Sequence, residues 1–270
     1  MLFRIYWLLV FHIAFLSCAS RYLVDPPSEA LENDKFNKKV KIAYLGFNSF
    51  KSTKLKNPDG TVDFEALSDP DSRTLKEPIS GGFPIPNENK PAGFRKDVPQ
   101  EKVVYFAKSF LGVTGPTGVK ELEKFLEIGR SGDQYTYSLR ILPYDYYIMG
   151  LHDPVFEKPR NIFLNFVTIF SSLFSVASIG ILPSYEAYSA TTKVLVFDKN
   201  LNLIKEFEYN NDYSVLRSLW VFPNPPECRI GSLSCLGMFS PTVKTTPAFV
   251  FEGNSRKIGS DLSKFVSNLK

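Results

Sequence analysis

At 270 residues, with 44% apolar and 22% charged side chains, the chain has the balance of a globular protein that can bury a sizeable core, which excludes disorder throughout. Net charge is +4, and the 32 basic residues are scattered among 28 acidic ones without a long run of one sign, so there is no nucleic-acid footprint. The 24 Phe and 13 Tyr favour sheets and interfaces, while the two histidines, His12 and His152, are too few for a multi-histidine metal site.

Met1 to Ser17 (MLFRIYWLLVFHIAFLS) places one basic residue, Arg4, ahead of an apolar stretch that ends at Cys18. This is the layout of a secretory signal peptide, with an uncut N-terminal membrane anchor as the other reading. Phe15-Leu16-Ser17-Cys18 is similar to a bacterial lipobox, in which a small residue precedes a Cys that is lipidated and becomes the new N-terminus. Phe15 stands where Leu is usual, a departure familiar among spirochaete lipoproteins. The resemblance implies a mature chain that starts at Cys18, has charge +3 once Arg4 is subtracted from +4, and keeps His152 alone. A structural or surface role is expected for that histidine.

Ala19 to Phe36 contains Pro26 and Pro27 and no periodicity, so it reads as a tether. Lys39 to Phe47 (KVKIAYLGF) is the first expected strand. From Asn57 to Pro99 there are seven prolines and four glycines, the composition of a long loop outside the regular core. Asp59, Asp69 and Asp71 invite a calcium reading there, but the third ligand, central Gly and terminal Glu of an EF-hand loop are missing, and turns are the plainer reading. Gly112, Gly115 and Gly118 suggest a phosphate cradle, yet Val119-Lys120 follows where a P-loop needs Lys and then Ser or Thr. Gln100 to Leu111 reads as a helix. Pro116 then opens a second one, with Val119, Leu122, Phe125 and Leu126 at helical spacing until Gly129 ends it.

Gln134 to Leu142 alternates between Tyr135, Tyr137, Leu139, Ile141 and Gln134, Thr136, Ser138, Arg140, the pattern of a half-buried strand. Tyr144 to Leu151 is another. Ala190 to Phe197 and Leu203 to Tyr209 flank Asp198-Lys199-Asn200 as a hairpin. Between these pairs lies Asn161 to Pro183 (NIFLNFVTIFSSLFSVASIGILP), an apolar run without a charge. Length alone admits a spanning, an interfacial or a buried helix. One crossing would split the strands between compartments and leave each side too few for a stable sheet, so a non-spanning placement is expected. In that placement Ile162, Phe163, Phe166, Ile169, Phe170 and Phe174 touch membrane or a partner, and Asn165, Thr168, Ser172 and Ser175 form a narrow polar stripe.

Leu216 to Phe222 is a shorter apolar run. Beyond it, Cys228 and Cys235 form the expected disulfide of an exported protein, two free thiols being the alternative. Thr246 to Glu252 reads as a last strand, and Gly259 to Lys270 as an amphipathic helix with Leu262, Phe265, Val266 and Leu269 on its apolar face.

Cys18, the Tyr-rich strand pair, the Ser-rich apolar segment ending in Ile-Leu-Pro and the hairpin VLVFDKNLNLIKEFEY together resemble small bacterial lipoproteins of unknown function, most of all those of leptospiral spirochaetes. The resemblance implies an envelope lipoprotein of the outer membrane or periplasm, and it transfers no active site. The expected organisation is a signal peptide at 1–17, a lipidated tether at 18–36 and one α+β domain at 37–270. In that domain a mostly antiparallel sheet packs against helices, and one long apolar helix covers 161–183. The expected function is noncatalytic binding or assembly at the envelope. The alternatives are a membrane-inserted subunit of a transport or secretion complex, and a hydrolase whose Ser or Asp residues the sequence does not single out. No metal or other cofactor is expected; the partners are the membrane and an unidentified protein.

Overall fold

Strands account for most of the regular structure in a computed structural model that describes residues 19–24, 40–57, 60–76, 78–84, 93–131, 134–218 and 243–269. Cys18, Cys228 and Cys235, the expected lipidation site and disulfide pair, lie outside the described residues, as do Asp59 and the signal segment. The fold is α+β, and every strand pairing with a stated register is antiparallel except one. The chain divides into two compact units. One comprises residues 1–25, 157–189 and 212–243, and the other residues 26–156, 190–211 and 244–270.

In the larger unit the sheet order is β2 (Ile42–Gly46), β7 (Tyr146–Pro159), β8 (Ser184–Asp198) and β9 (Leu203–Asn210); β7 and β8 contribute residues to both units. All five residues of β2 are buried, as befits a strand paired in parallel and covered on both faces. Ala43 and Leu45 enter one core, with Tyr147, Met149, Leu195 and Phe197. Ile42 and Tyr44 enter the other, with Ile148, Val194 and Val196. Helix α1 (Gln100–Thr114) covers the first face with Val103, Phe106, Ala107 and Phe110, and α5 (Ser255–Asn268) covers the second with Ile258, Leu262 and Val266. Both sets recur at the three- and four-residue spacing of a helix face. At the end of β2, Gly46 has φ 78°, and a Cβ there would lie 2.1 Å from the Gly150 carbonyl oxygen. A Cβ on Gly150 would in turn sit 2.4 Å from the Phe47 ring. Both positions therefore require glycine.

Several expectations are corrected. Much of 57–99 is not a loop, because β4 (Val62–Arg73) pairs antiparallel with β3 (Asn48–Lys56) as a hairpin. Its Pro70 falls where the register shifts between Asn48 and Ser49, a place that needs no ladder donor. Asp69 lies in β4 opposite Ser49, not in the turn expected for it, and its carboxylate pairs with Lys51 at 2.6 Å at the surface.

The helix expected from Pro116 to Gly129 is a 3-10 turn at Gly115–Gly118 and a four-residue α2 (Val119–Leu122). Phe125 and Leu126 leave the helix, and β5 (Leu126–Ser131) pairs with β6 (Gln134–Leu139). Leu122, Phe125 and Leu126 are all fully buried, an outcome that helix and turn serve equally, so their spacing could not decide between them. Thr246 to Glu252 is likewise not a strand: Pro247 caps α4 (Ala248–Glu252), which buries Val250 and Phe251.

The tether expected from Ala19 begins as β1 (Ala19–Val24), paired with β10 (Tyr213–Ser218) in the smaller unit. The apolar run, finally, is helical only over α3 (Ile162–Ala177), 16 residues, so the expected long helix at 161–183 is not present. Ile179 at φ 53° and Gly180 at φ 79° turn the chain into β8.

Candidate functional site

Helix α3, in the smaller unit, starts at Asn161, whose backbone is extended and whose side chain accepts a hydrogen bond from the Leu164 N–H at 2.8 Å, a standard N-cap. It stops where Ser178 N–H bonds Phe174 O and Gly180 N–H bonds Ser175 O, with the left-handed residues just named closing the end. The Ser178 hydroxyl then accepts from the Leu182 N–H at 2.8 Å. Ser171 ties the helix to β8, its Oγ accepting from Tyr185 N–H at 3.0 Å.

The helix is inside out. Exposure is 77% at Ile162, 74% at Phe163, 58% at Phe170 and 60% at Leu173 and Phe174, against 4% at Ser175. Phe166 and Ile169 are also exposed, so all six residues expected to make contact lie open, while Asn165, Thr168 and Ser172 are half-buried on the polar side. The six-residue expectation missed Leu173 and the turn beyond the helix, where Ile179, Ile181 and Leu182 are exposed as well. Their apolar character within the same run was the available signal.

Strand register places this surface near the N-terminus of the described chain. Ala19 pairs with Ser218 in β10, and the adjacent Arg217 pairs with Ser184 in β8. β1 and β8 are thus parallel, two strand spacings or about 10 Å apart, with Ala19 level with the start of β8. The chain that leads into β1 and the apolar turn that leads into β8 therefore meet the sheet at one end.

Several polar groups of this unit pair with one another, while the buried Ser20 Oγ has no hydrogen-bond partner. Tyr213 stacks on Tyr22 and Tyr188 at centroid distances of 5.9 and 5.2 Å, and its hydroxyl donates to Glu157 Oε1 at 3.0 Å. Tyr188 donates to Glu186, which also forms an ion pair with Arg217. Burial first, then Glu157 at both tyrosines and Glu186 at Tyr188, raises the two pKa values, so these hydroxyls stay protonated. Burial acts to lower the Arg217 pKa, but the charge and hydrogen bond of Glu186, with Tyr188 and Glu157, together outweigh it and the guanidinium stays cationic. Glu157 and Glu186 are the converging carboxylates that a hydrolase reading asks for. Here they bind tyrosine and arginine and join strands.

His152, in the larger unit, is buried. Its Nε2 lies 2.7 Å from Thr74 Oγ1 and its Nδ1 3.0 Å from Thr192 Oγ1. Thr74 donates to Phe47 O and Thr192 accepts from Asn211 Nδ2, so the Nε2–H tautomer satisfies every group: Nε2 donates to Thr74 and Nδ1 accepts from Thr192. Phe251 stacks on the ring at 3.9 Å, and burial pushes the pKa down to about 3. The imidazole is a neutral core group.

Among the described residues no helix is long and apolar enough to cross a membrane, and no three His, Cys, Asp or Glu residues gather as a metal site. At 1.5 Å per residue α3 is about 24 Å long, short of the roughly 30 Å hydrocarbon core. Comparison with protein-family models, with curated proteins and with solved structures gave no match.

Proposed function

We propose that this chain is a noncatalytic lipoprotein of the bacterial cell envelope, exported by its N-terminal signal, lipidated at Cys18 and working by binding or assembly. Its setting is the outer membrane, on the periplasmic or surface face, as in the leptospiral lipoproteins that it resembles. Cys228 and Cys235 form its disulfide. The observation that carries the reading is α3, which turns Phe163, Phe170 and Phe174 outward and buries Ser175. Covering one such large side chain is worth about 1.5–3 kcal/mol. A continuous surface of them marks a place where membrane or protein is bound. The neutral, fully bonded His152 and the engaged Glu157 and Glu186 support a noncatalytic role.

Labelled palmitate fed to bacteria that express the chain, followed by membrane fractionation, tests the proposal. The wild-type chain takes up label and sediments with the membranes, and Cys18→Ala takes up no label. An unlabelled wild-type chain in the cytoplasmic fraction would overturn the reading.

A further inference from the structure

We infer that the outward face of α3 and the turn Ile179 to Leu182 insert into the same membrane leaflet that receives the acyl chains on Cys18, so that the protein lies against the bilayer instead of hanging from it. The inference rests on the lipoprotein reading above. Its occupant is the acyl region of a bilayer leaflet.

Three observations point there. First, no tether separates the anchor from the fold: Ala19, the residue after Cys18, is already paired with Ser218. Adjacent Cα atoms are about 3.8 Å apart, so lipid on Cys18 brings the end of this sheet to the membrane surface. Second, the register puts that end level with Leu182 and Pro183, two strands away, and the exposed Ile181 and Leu182 continue from there into α3. Third, the chemistry suits lipid. The outward side chains from Ile162 to Leu182 are Phe, Ile, Leu and Ala177, with no donor, acceptor or charge among them, whereas a protein interface of comparable extent carries polar groups at its rim and about one hydrogen bond per 100–200 Å².

The surrounding charges fit anionic headgroups. Among the described residues of this unit the exposed charged side chains are Arg21, Lys158 and Arg160, all basic. The acidic ones are half-buried and engaged: Glu157 with Tyr213, Glu186 with Arg217, and Asp212 with Arg160. Lys158 and Arg160 immediately precede α3, where cations belong on a helix lying in a membrane interface. The acyl chains on Cys18 hold one point of the chain at the membrane, and a second contact beside them fixes how the protein lies on it.

The test uses the lipidated protein in vesicles of phosphatidylethanolamine and phosphatidylglycerol. Single thiols are introduced by Phe166→Cys, Ile169→Cys, Phe170→Cys, Leu173→Cys and Ile181→Cys on the outward side and by Thr168→Cys and Ser172→Cys on the other, in a Cys228→Ser, Cys235→Ser background. Each carries an environment-sensitive fluorophore, read with acyl-chain nitroxide lipids and with aqueous iodide as quenchers. The expected result is quenching by nitroxide and loss of iodide quenching at the five outward positions, with the opposite ranking at residues 168 and 172. Free iodide access at the outward positions would overturn the inference, and so would energy transfer between labelled copies that persists when the protein is diluted over many vesicles, which would mean a second copy covers the face. Mass spectrometry of Cys18 separates the two levels. An acylated protein with iodide-accessible outward labels sinks this inference alone, and an unacylated Cys18 sinks the lipoprotein reading beneath it.

Discussion

Helices α3 and α5 are built on the same rule and face opposite ways. In α5 the apolar residues Ile258, Leu262 and Val266 are at most 2% exposed and Lys257 and Lys264 point to solvent. In α3 the phenylalanines are in the open and a serine is buried. The difference teaches what each helix is folded against. α5 closes a water-excluding core over β2, β7 and β8, and its packing stabilises the fold. α3 keeps its hydrogen-bonding side chains, such as Ser171, for its own protein and leaves its apolar surface exposed.

The sharpest way to break this contrast is to put the same charge into both helices. Leu262→Asp strands a carboxylate in a dry core and should cost about 4 kcal/mol or more in urea unfolding, whereas Phe170→Asp should stay within about 0.5 kcal/mol and raise solubility without detergent. Equal costs would mean that α3 is part of the fold's own core.

Next in size is the ion pair at the hairpin root. Arg73 binds Glu121 at 2.8 Å with both side chains largely buried, and Glu121 Oε1 also accepts from the Gly46 N–H at 3.0 Å. Arg73→Met leaves that carboxylate unpaired and should cost about 3 kcal/mol, part of which Glu121→Gln restores in the double variant.

A third test concerns His152. Its folded pKa, about 3, lies below its ordinary 6.5, so the unfolded chain binds more protons between those values. The contribution is complete above about pH 6.5 and is lost as pH falls toward 3, by roughly 1 kcal/mol per pH unit. That part of the pH dependence should vanish in His152→Asn. A milder effect is expected at the start of α3, where Asn161→Ala removes the cap and should cost about 1 kcal/mol, read as loss of helix and faster amide exchange at Leu164. Smallest of all is Phe170→Ser, neutral for stability within about 0.5 kcal/mol, with its effect confined to vesicle binding.

Periodicity made the strands legible. The alternation of Tyr135, Tyr137 and Leu139 identified β6, and the Asp198-Lys199-Asn200 turn identified the β8–β9 hairpin, since each signal is local to the residues that carry it. The candidate surface was half legible: the six contact residues were drawn from an uncharged run, and the polar stripe was seen, but not which side of the helix the protein would take. Segments whose state depends on distant partners were misread. Asp69, among prolines, is in a strand because Lys51 and the rest of β3 pair with it. Phe249 and Phe251 are helical because α4 packs Phe251 on His152, about a hundred positions earlier in the chain.

By itself the sequence determined the α+β class, the positions of β2, β6, β7, β8 and β9, the apolar run without charge and the lipobox-like Cys18, because these are properties of neighbouring residues. Only the tertiary structure decided that the run breaks at Ala177, that its apolar side faces out, and that the chain after Cys18 is a strand in register with the end of that run. Burial and register are set by residues far apart in the chain, and a helix's hydrophobic face records only that something must cover it.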